Sequence, residues 1–476
     1  MKKKDISGRR DFLKLAALGT AALGLGSVGN LFASPVNPSG SKDISTLSHG
    51  NTASVGNKSV MGLTCEPLEK VRIAVIGIGM RGSEAVSRLL QIEGVQLTAL
   101  CDLVPDFVKG ANQKVQEAGQ PAAATYTGIN DWIKVCERED VDLVYNCTPW
   151  DLHTPIAVYA MKHGKHAAIE VPAAISVEEC WQLVNTSEET RRHCMMLENC
   201  CYDFFELTTL NMARQGVFGE ILHAEGAYIH DLREWKFLEH KDGGYYNHWR
   251  LEFSKKHNGN LYPTHGLGPI SQIMGINRGD RFDYLTSMST KQAGISLYAA
   301  EKFGPGSTEA SQTYLLGDMN TTLIRTVNGR TLKIQHDTTS PRPYDRLHLI
   351  SGTRGMARKY PQQAIALEPS SNQFLNPEEF NALMLKYEHP LARQIGEKAR
   401  LVGGHGGMDF IMDYRLIYCL RNGLPLDQDV YDAAAWSSIV HLSEQSVADK
   451  SNSIPVPDFT RGAWVSATPL PALGIE

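Results

Sequence analysis

The sequence predicts an α/β protein. A doubly wound parallel sheet near the N-terminus is followed by an α+β domain with an open, mostly antiparallel sheet. Three observations predict it. From Val71 to about residue 190, short β-branched runs alternate with helical stretches, the pattern of βαβ units. A glycine loop, Gly77 to Gly82, directly follows the first of those runs. After about residue 200 the pattern loosens into alternating apolar and polar positions, as in strands with one wet face. The 476 residues are too many for one ordinary domain. With 42% hydrophobic and 21% charged residues, the chain is neither disordered, collagen-like nor membrane-embedded. A net charge of −5 with no basic domain argues against a nucleic-acid partner.

Residues 1–33 stand apart from the fold. Lys2 to Lys4 and Arg9-Arg10 precede an apolar stretch from Leu15 to about Phe32. Ser7-Gly8-Arg9-Arg10-Asp11-Phe12-Leu13-Lys14 resembles the twin-arginine export signal of bacteria. The stretch is short and Gly/Ala-rich for a stable span, so export to the periplasm or cell envelope is expected, with no stable membrane anchor. Removing this segment takes six basic and two acidic residues and leaves a charge of −9. Residues 34–66, rich in Ser, Gly, Asn, Pro and Thr, read as a flexible linker. Nine cysteines without a Cys-x-x-Cys form neither a disulfide framework nor a zinc site, and read mostly as small buried hydrophobes.

The expected dinucleotide-binding domain spans 67–190. Val71 to Ile76 is a buried parallel strand, Ser83 to Gln91 a helix, and Val95 to Cys101 a second strand ending at Asp102. Helices follow near 105–118 and 131–139. Val141 to Cys147 and His166 to Glu170 are further strands, separated by a helix near 154–163. Residues 191–476 form the expected substrate-binding domain. Its strand candidates are 221–228, 284–289, 311–317, 321–327 and 331–336, and its helix candidates are 408–422 and 432–448.

Gly77-Ile78-Gly79-Met80-Arg81-Gly82 follows a strand, opens a helix and has Asp102 about twenty residues on. That context makes a Rossmann dinucleotide site of an otherwise weak motif. The glycines allow close approach of a pyrophosphate, and the helix N-terminus supplies amide donors. Asp102 would accept from the ribose hydroxyls and repel a 2′-phosphate, favouring NAD over NADP. Arg81 could pair with a phosphate or lie solvated in the loop. The segment Trp150-Asp151-Leu152-His153 follows a strand across the switch point and could touch the cofactor or be a bland loop. Glu170 and Val171 follow another strand end at the crevice, and Asn199 follows the apolar Met195-Met196-Leu197 run.

Together, Gly77 to Gly82, Thr148-Pro149 with His153, and Glu170-Val171-Pro172 resemble the oxidoreductase family named after glucose–fructose oxidoreductase, inositol dehydrogenase and a rhizopine-catabolism protein. That family usually has Glu-Lys-Pro, its lysine assisting hydroxyl deprotonation; this chain has Val171. The second half narrows the match. Tyr228-Ile229-His230-Asp231-Leu232-Arg233, His248-Trp249-Arg250, Asn258 to Pro269 with its Tyr262-Pro263-Thr264-His265, and Gly403 to Asp409 resemble glycoside hydrolase family 109.

The resemblance implies α-N-acetylgalactosaminidase activity by a redox-neutral route. Bound NAD⁺ takes a hydride from carbon 3 of the sugar, and the ketone acidifies the hydrogen on carbon 2. A base removes that proton, the glycosidic oxygen leaves, water adds, and the hydride returns. No flanking carboxylate pair is required, unlike in ordinary glycosidases.

The resemblance makes His265 the expected acid/base at the carbon 3 hydroxyl; from the residues alone, a lone histidine is more often structural. Tyr262 could hydrogen-bond the sugar or handle a proton. Tyr228 is the preferred base for carbon 2, with Tyr202 as rival, and either would need a lowered pKa. Arg250 suits sugar hydroxyls or an acetamide oxygen, or else a surface salt bridge. Pro263, Thr264 and Tyr344 are expected substrate contacts. His405 is read as part of a structural turn and cap. No metal constellation stands out, and His230-Asp231 with His240 is too loosely spaced to be one. A sugar dehydrogenase and a non-catalytic sugar sensor remain alternatives. The expected partner is a small-molecule or glycan substrate, and the open second sheet could pack against another copy in a homo-oligomer.

Overall fold

The computed structural model describes residues 58–370 and 372–468, which lie within one compact unit. The export signal and residues 34–57 of the expected linker lie outside the described residues. Residues 58–66 are not linker. Val60 is buried, its amide donates to the Tyr431 hydroxyl at 3.0 Å, and Met61, Leu63 and Cys65 pack on the core. Four apolar side chains spaced through that stretch outweigh its polar composition.

Six parallel strands form the first sheet: β1 (Val71–Ile76), β2 (Val95–Cys101), β3 (Ala124–Tyr126), β4 (Leu143–Asn146), β5 (His166–Ile169) and β6 (Cys194–Met196), in the order β3-β2-β1-β4-β5-β6. The order reverses between β1 and β4, the switch point where ligands bind in such sheets. β4, β5 and β6 are buried on both faces, as helix-covered strands must be. β6 pairs with β5, so this sheet runs past the expected boundary at residue 190.

The second sheet has eight strands: β7 (Ile221–Ile229), β8 (Phe282–Ser289), β9 (Asn320–Thr326), β10 (Thr331–Asp337), β11 (Leu349–Gly352), β12 (Gly355–Arg358), β13 (Ala364–Leu367) and β14 (Ile454–Pro455). It is antiparallel except where β10 lies parallel to β7. The expected strand at 311–317 is absent: Thr308–Ser311 is a short helix, and Asp318 turns back to hold the amides of Ala293 and Gly294. The helix Thr264–Met274 lies against β7 at backbone contact distance. A Cβ on Gly226 would meet the Gly266 carbonyl oxygen at 2.4 Å, and one on Gly266 would meet the Ala227 amide at 2.2 Å. This glycine pair brings His265 up to the strand that carries Tyr228.

Candidate active site

The glycine loop is built for a dinucleotide in three separate ways. Gly77 has φ +83°, and a Cβ there would strike the Cys147 carbonyl at 2.7 Å. A Cβ on Gly82 would sit 1.8 Å from the Gly77 carbonyl oxygen, so only glycine lets the helix Met80–Leu89 pack on the loop. Gly79 has open space where its Cβ would be, which leaves room for a phosphate to reach the backbone. Asp102 ends β2 and accepts from the Ile78 amide at 2.6 Å and the Val104 amide at 2.8 Å. Burial pushes its carboxyl up, against those hydrogen bonds. Through the Ile78 amide the side chain is tied to the glycine loop.

Arg81 is part-exposed and ion-paired within the protein. Its guanidinium donates to Glu170 at 2.9 Å and to Asp409 at 3.0 Å. Burial raises the Asp409 carboxyl, but Arg81, His405 and Arg88 outweigh it and hold it well below its usual range. Asn199 donates to the other Asp409 oxygen. His405 pairs with Asp409 at 2.9 Å and sits in the glycine-rich turn before the helix Met408–Asn422, whose N-cap is Gly407, so the expected turn is there but the side chain caps no helix amide. The ring nitrogens of His153 face the carbonyls of Pro172 (2.7 Å) and Thr148 (2.8 Å), and whichever nitrogen carries the proton donates to its carbonyl. The ring ties two strand-end loops together and has no polar atom left for a cofactor. Trp150 is buried and donates to the Val171 carbonyl at 3.1 Å, Leu152 packs on the core, and Asp151 is exposed. Val171 is buried, where the family lysine would stand.

Across the crevice, Tyr228, Tyr262 and His265 form one aromatic cluster. Ring centres lie 4.4 Å apart for Tyr228–Tyr262, 4.8 Å for Tyr262–His265 and 5.4 Å for Tyr228–His265. Pro263 and Thr264, both buried, start the helix that aims His265. Arg250 is caged rather than ion-paired. It lies 4.9 Å over Tyr262, 5.0 Å over Tyr245, 5.1 Å over Trp249 and 5.2 Å over Trp150, and its Nε has no hydrogen-bond partner among the described residues. Tyr344 is part-exposed and packs edge-on to His230 at 5.0 Å and Tyr228 at 6.3 Å. Tyr202, the rival base, bonds Asp427 instead.

Burial pushes the Tyr228 phenol up to about 12, although Arg250 opposes it. This is the reverse of the lowering that a free-standing tyrosine base would need. Glu198, which spacing alone did not reveal, accepts from His265 Nδ1 at 2.8 and 3.1 Å and from the Cys200 amide at 3.1 Å. Burial raises its carboxyl, but the His265 charge and hydrogen bonds bring it below the ordinary value. Glu198, Cys200 and His265 bring three potential metal-ligand atoms within 4.8 Å, a grouping not visible in the spacing. The Cys200 thiol is pushed well up by burial, and the carboxylate is occupied by the imidazole. The trio is a carboxylate–histidine pair beside a neutral thiol.

Residues 202–466 match the C-terminal domain of glycosyl hydrolase 109. The chain belongs to that family. Residues 71–198 match the NAD-binding Rossmann fold of the oxidoreductase family, which agrees with the open Gly79 and the Asp102 carboxylate. The chain is 56% identical over 405 residues to the alpha-N-acetylgalactosaminidase of Bacteroides fragilis, covering 85% of this chain and 95% of that protein. A glycosyl hydrolase family 109 protein of Shewanella sp. is 50% identical over 474 residues, covering 98% of this chain and 99% of that protein. Among solved structures, levoglucosan dehydrogenase in complex with NADH and L-sorbose aligns with a TM-score of 0.61 at 18% identity, covering 82% of this chain and 100% of that chain. A scyllo-inositol dehydrogenase from Lactobacillus casei aligns with 0.57 at 14%, over 82% and 99%. At those identities the likeness is one of fold. The chain is thus an NAD-binding enzyme of a glycoside hydrolase family.

Proposed function

We propose that the protein hydrolyses terminal α-N-acetylgalactosamine from glycans by oxidation, elimination, addition and reduction on one sugar. The observation that carries this reading is the facing pair Tyr228 and His265, 5.4 Å apart between ring centres and both beside Tyr262, over which Arg250 lies. Two proton-handling groups at that separation can serve adjacent carbons of one ring. NAD held by the glycine loop and Asp102 would supply reversible hydride removal at carbon 3.

The chain's own residues supply the proton work. His265 Nδ1 is held by Glu198, so Nε2 is the nitrogen that takes the carbon 3 hydroxyl proton and later returns it. Tyr228 Oη takes the carbon 2 proton once carbon 3 is a ketone. Arg250, with no carboxylate on it among the described residues, orients the sugar through hydroxyl or acetamide oxygens. The 56% identity to the Bacteroides fragilis enzyme supports the sugar and linkage. The N-terminal twin arginines support export of the folded protein, which arginine-to-lysine changes at Arg9 and Arg10 would block in a cell-fractionation assay.

The test is incubation of the purified protein with p-nitrophenyl α-N-acetylgalactosaminide in deuterated water. Release of p-nitrophenol, deuterium at carbon 2 of the product and no net NADH are expected. Release without deuterium overturns the route. No release, with NADH formed from free sugars, overturns the activity in favour of a dehydrogenase.

A further inference from the structure

On the proposed reading, Tyr228 must take a proton from carbon. Its phenol is protonated at neutral pH, because burial pushes it up to about 12. A protonated phenol can act as a base only if its own proton has somewhere to go. The structure supplies one acceptor on the same strand end. His230 Nδ1 lies 3.0 Å from Tyr228 Oη.

His230 lies one residue past β7, and its ring stands edge-on to the Tyr228 ring with centres 5.6 Å apart. The His230 backbone is pinned by its amide, which donates to the Asp337 carbonyl at 2.9 Å. Its ring stands edge-on to Trp235 at 5.3 Å and to Tyr344 at 5.0 Å. The imidazole is therefore fixed in the orientation that presents Nδ1 to the phenol.

We propose that His230 is the proton acceptor for Tyr228, so that the pair works as a relay. In one step the carbon 2–hydrogen bond of the 3-keto sugar breaks and that proton bonds to Tyr228 Oη. The phenol O–H breaks as the first proton arrives, and its proton bonds to His230 Nδ1. The electron pair left on carbon 2 forms the carbon 1–carbon 2 double bond. The glycosidic carbon 1–oxygen bond breaks, and the leaving oxygen takes its proton from water. Reversal of the relay returns a proton to carbon 2 after water has added.

The surroundings leave the acceptor nitrogen bare in the resting site, so the proton stays on His230 only while carbon 2 is being deprotonated. Burial, then the charges of Arg250 and His265, push the His230 imidazole down to about 4, so it is neutral and Nδ1 is free to accept. Asp231 pulls the other way and His405 adds to the lowering. On the phenol side Arg250 favours the ionised form, whereas Tyr245 and Cys200 oppose it. His336, paired with Tyr228 across β10, is pushed down to about 3 by burial, with Lys236 and Arg250 adding to it, and stays neutral. Arg250 thus steadies the negative charge that builds on Oη as one proton arrives and the other passes to His230.

The sequence places His230 two residues after Tyr228, a spacing that reads as nothing without the strand.

The test is the pH profile of kcat for His230→Asn in the intact holoenzyme. Asn keeps an acceptor oxygen near the Nδ1 position but takes up no proton. The expected result is a KM within threefold of wild type and a kcat at least 100-fold lower at pH 7. That kcat should climb about tenfold per pH unit between pH 7 and 10 as the phenol ionises, while the wild type stays flat. A kcat lowered by one factor at every pH, or not lowered at all, overturns the relay. Wild-type protein with ¹⁵N-labelled histidine gives a second readout free of activity and of folding. A His230 with bare Nδ1 and protonated Nε2 is expected; a proton on Nδ1 overturns the proposal. Tyr228→Phe separates this from the reading it rests on: carbon 2 deuterium incorporation that survives in Tyr228→Phe would remove Tyr228 as the base, whatever His230→Asn does.

Discussion

Replacing Glu198 by Gln tests how His265 is made competent. The carboxylate is fully buried and meets His265 Nδ1 at 2.8 Å. It fixes the tautomer with Nε2 bare and balances the imidazolium that forms when the carbon 3 hydroxyl is deprotonated. At an effective dielectric near 20, a unit charge about 4 Å from the imidazolium centre is worth about 4 kcal/mol. The amide keeps one hydrogen bond of about 1 kcal/mol. The net loss is about 3 kcal/mol, or about 150-fold in the oxidation step. Stopped-flow absorbance at 340 nm, after mixing holoenzyme with substrate, reads that step directly. Substrate binding should change little, because Glu198 is reached only through His265. If Glu198→Gln formed reduced cofactor within threefold of the wild-type rate, the carboxylate–histidine pairing would have no part in the proton transfer.

Two further outcomes follow from packing and charge. Gly266→Ala places a methyl 2.2 Å from the Ala227 amide. The helix must then back away from β7, at a cost of about 1–3 kcal/mol. Because that helix carries His265, kcat should fall along with the urea midpoint; a stable variant with full kcat would refute the close-packing argument. Glu206 is buried against Arg346 at 2.6 Å and Lys359 at 2.7 Å. Burial raises its carboxyl, but those charges outweigh it and hold it well below the ordinary range. A depressed folded value gives stability that is complete above the unfolded pKa of about 4.3 and lost as pH falls below it. Glu206→Gln should therefore cost about 3–5 kcal/mol at pH 7. Urea unfolding should show the gap from wild type narrowing below pH 4, and a constant gap would contradict the linkage.

Four of the six parallel strands are legible because each is a short apolar run bounded by a turn, three of them closed by a residue with chemistry: Asp102, Asn146 and Glu170. Glu198 carries the same signal as the others. It was passed over because a three-residue strand, Cys194–Met196, is too short to declare a period. The strands β11 to β13 are four residues each and escaped for the same reason. Asp409 and Arg81 were not legible as a pair, because they are 328 positions apart and meet only when the two halves pack. His153 misled in the opposite direction. It stands where a cofactor contact would be expected, but its ring is used up by two carbonyls.

Val171 explains why the proton work sits where it does. A lysine after Glu170 would put an ammonium on the Rossmann side of the crevice, beside the Arg81–Glu170 pair. Here that position is a valine, 3% exposed, whose carbonyl takes the Trp150 indole. A buried ammonium there would need a partner that Glu170, already held by Arg81 at 2.9 Å, is poorly placed to give. The acid/base group comes instead from the second domain, as His265 with Glu198 behind it. A net dehydrogenation needs a group that only gives its proton up to solvent. A redox-neutral cycle needs one that holds the proton until the hydride returns. A part-buried imidazole with a fully buried carboxylate behind it meets that requirement. On the proposed route, the change from lysine to valine and the pairing of His265 with Glu198 are therefore two halves of one adaptation.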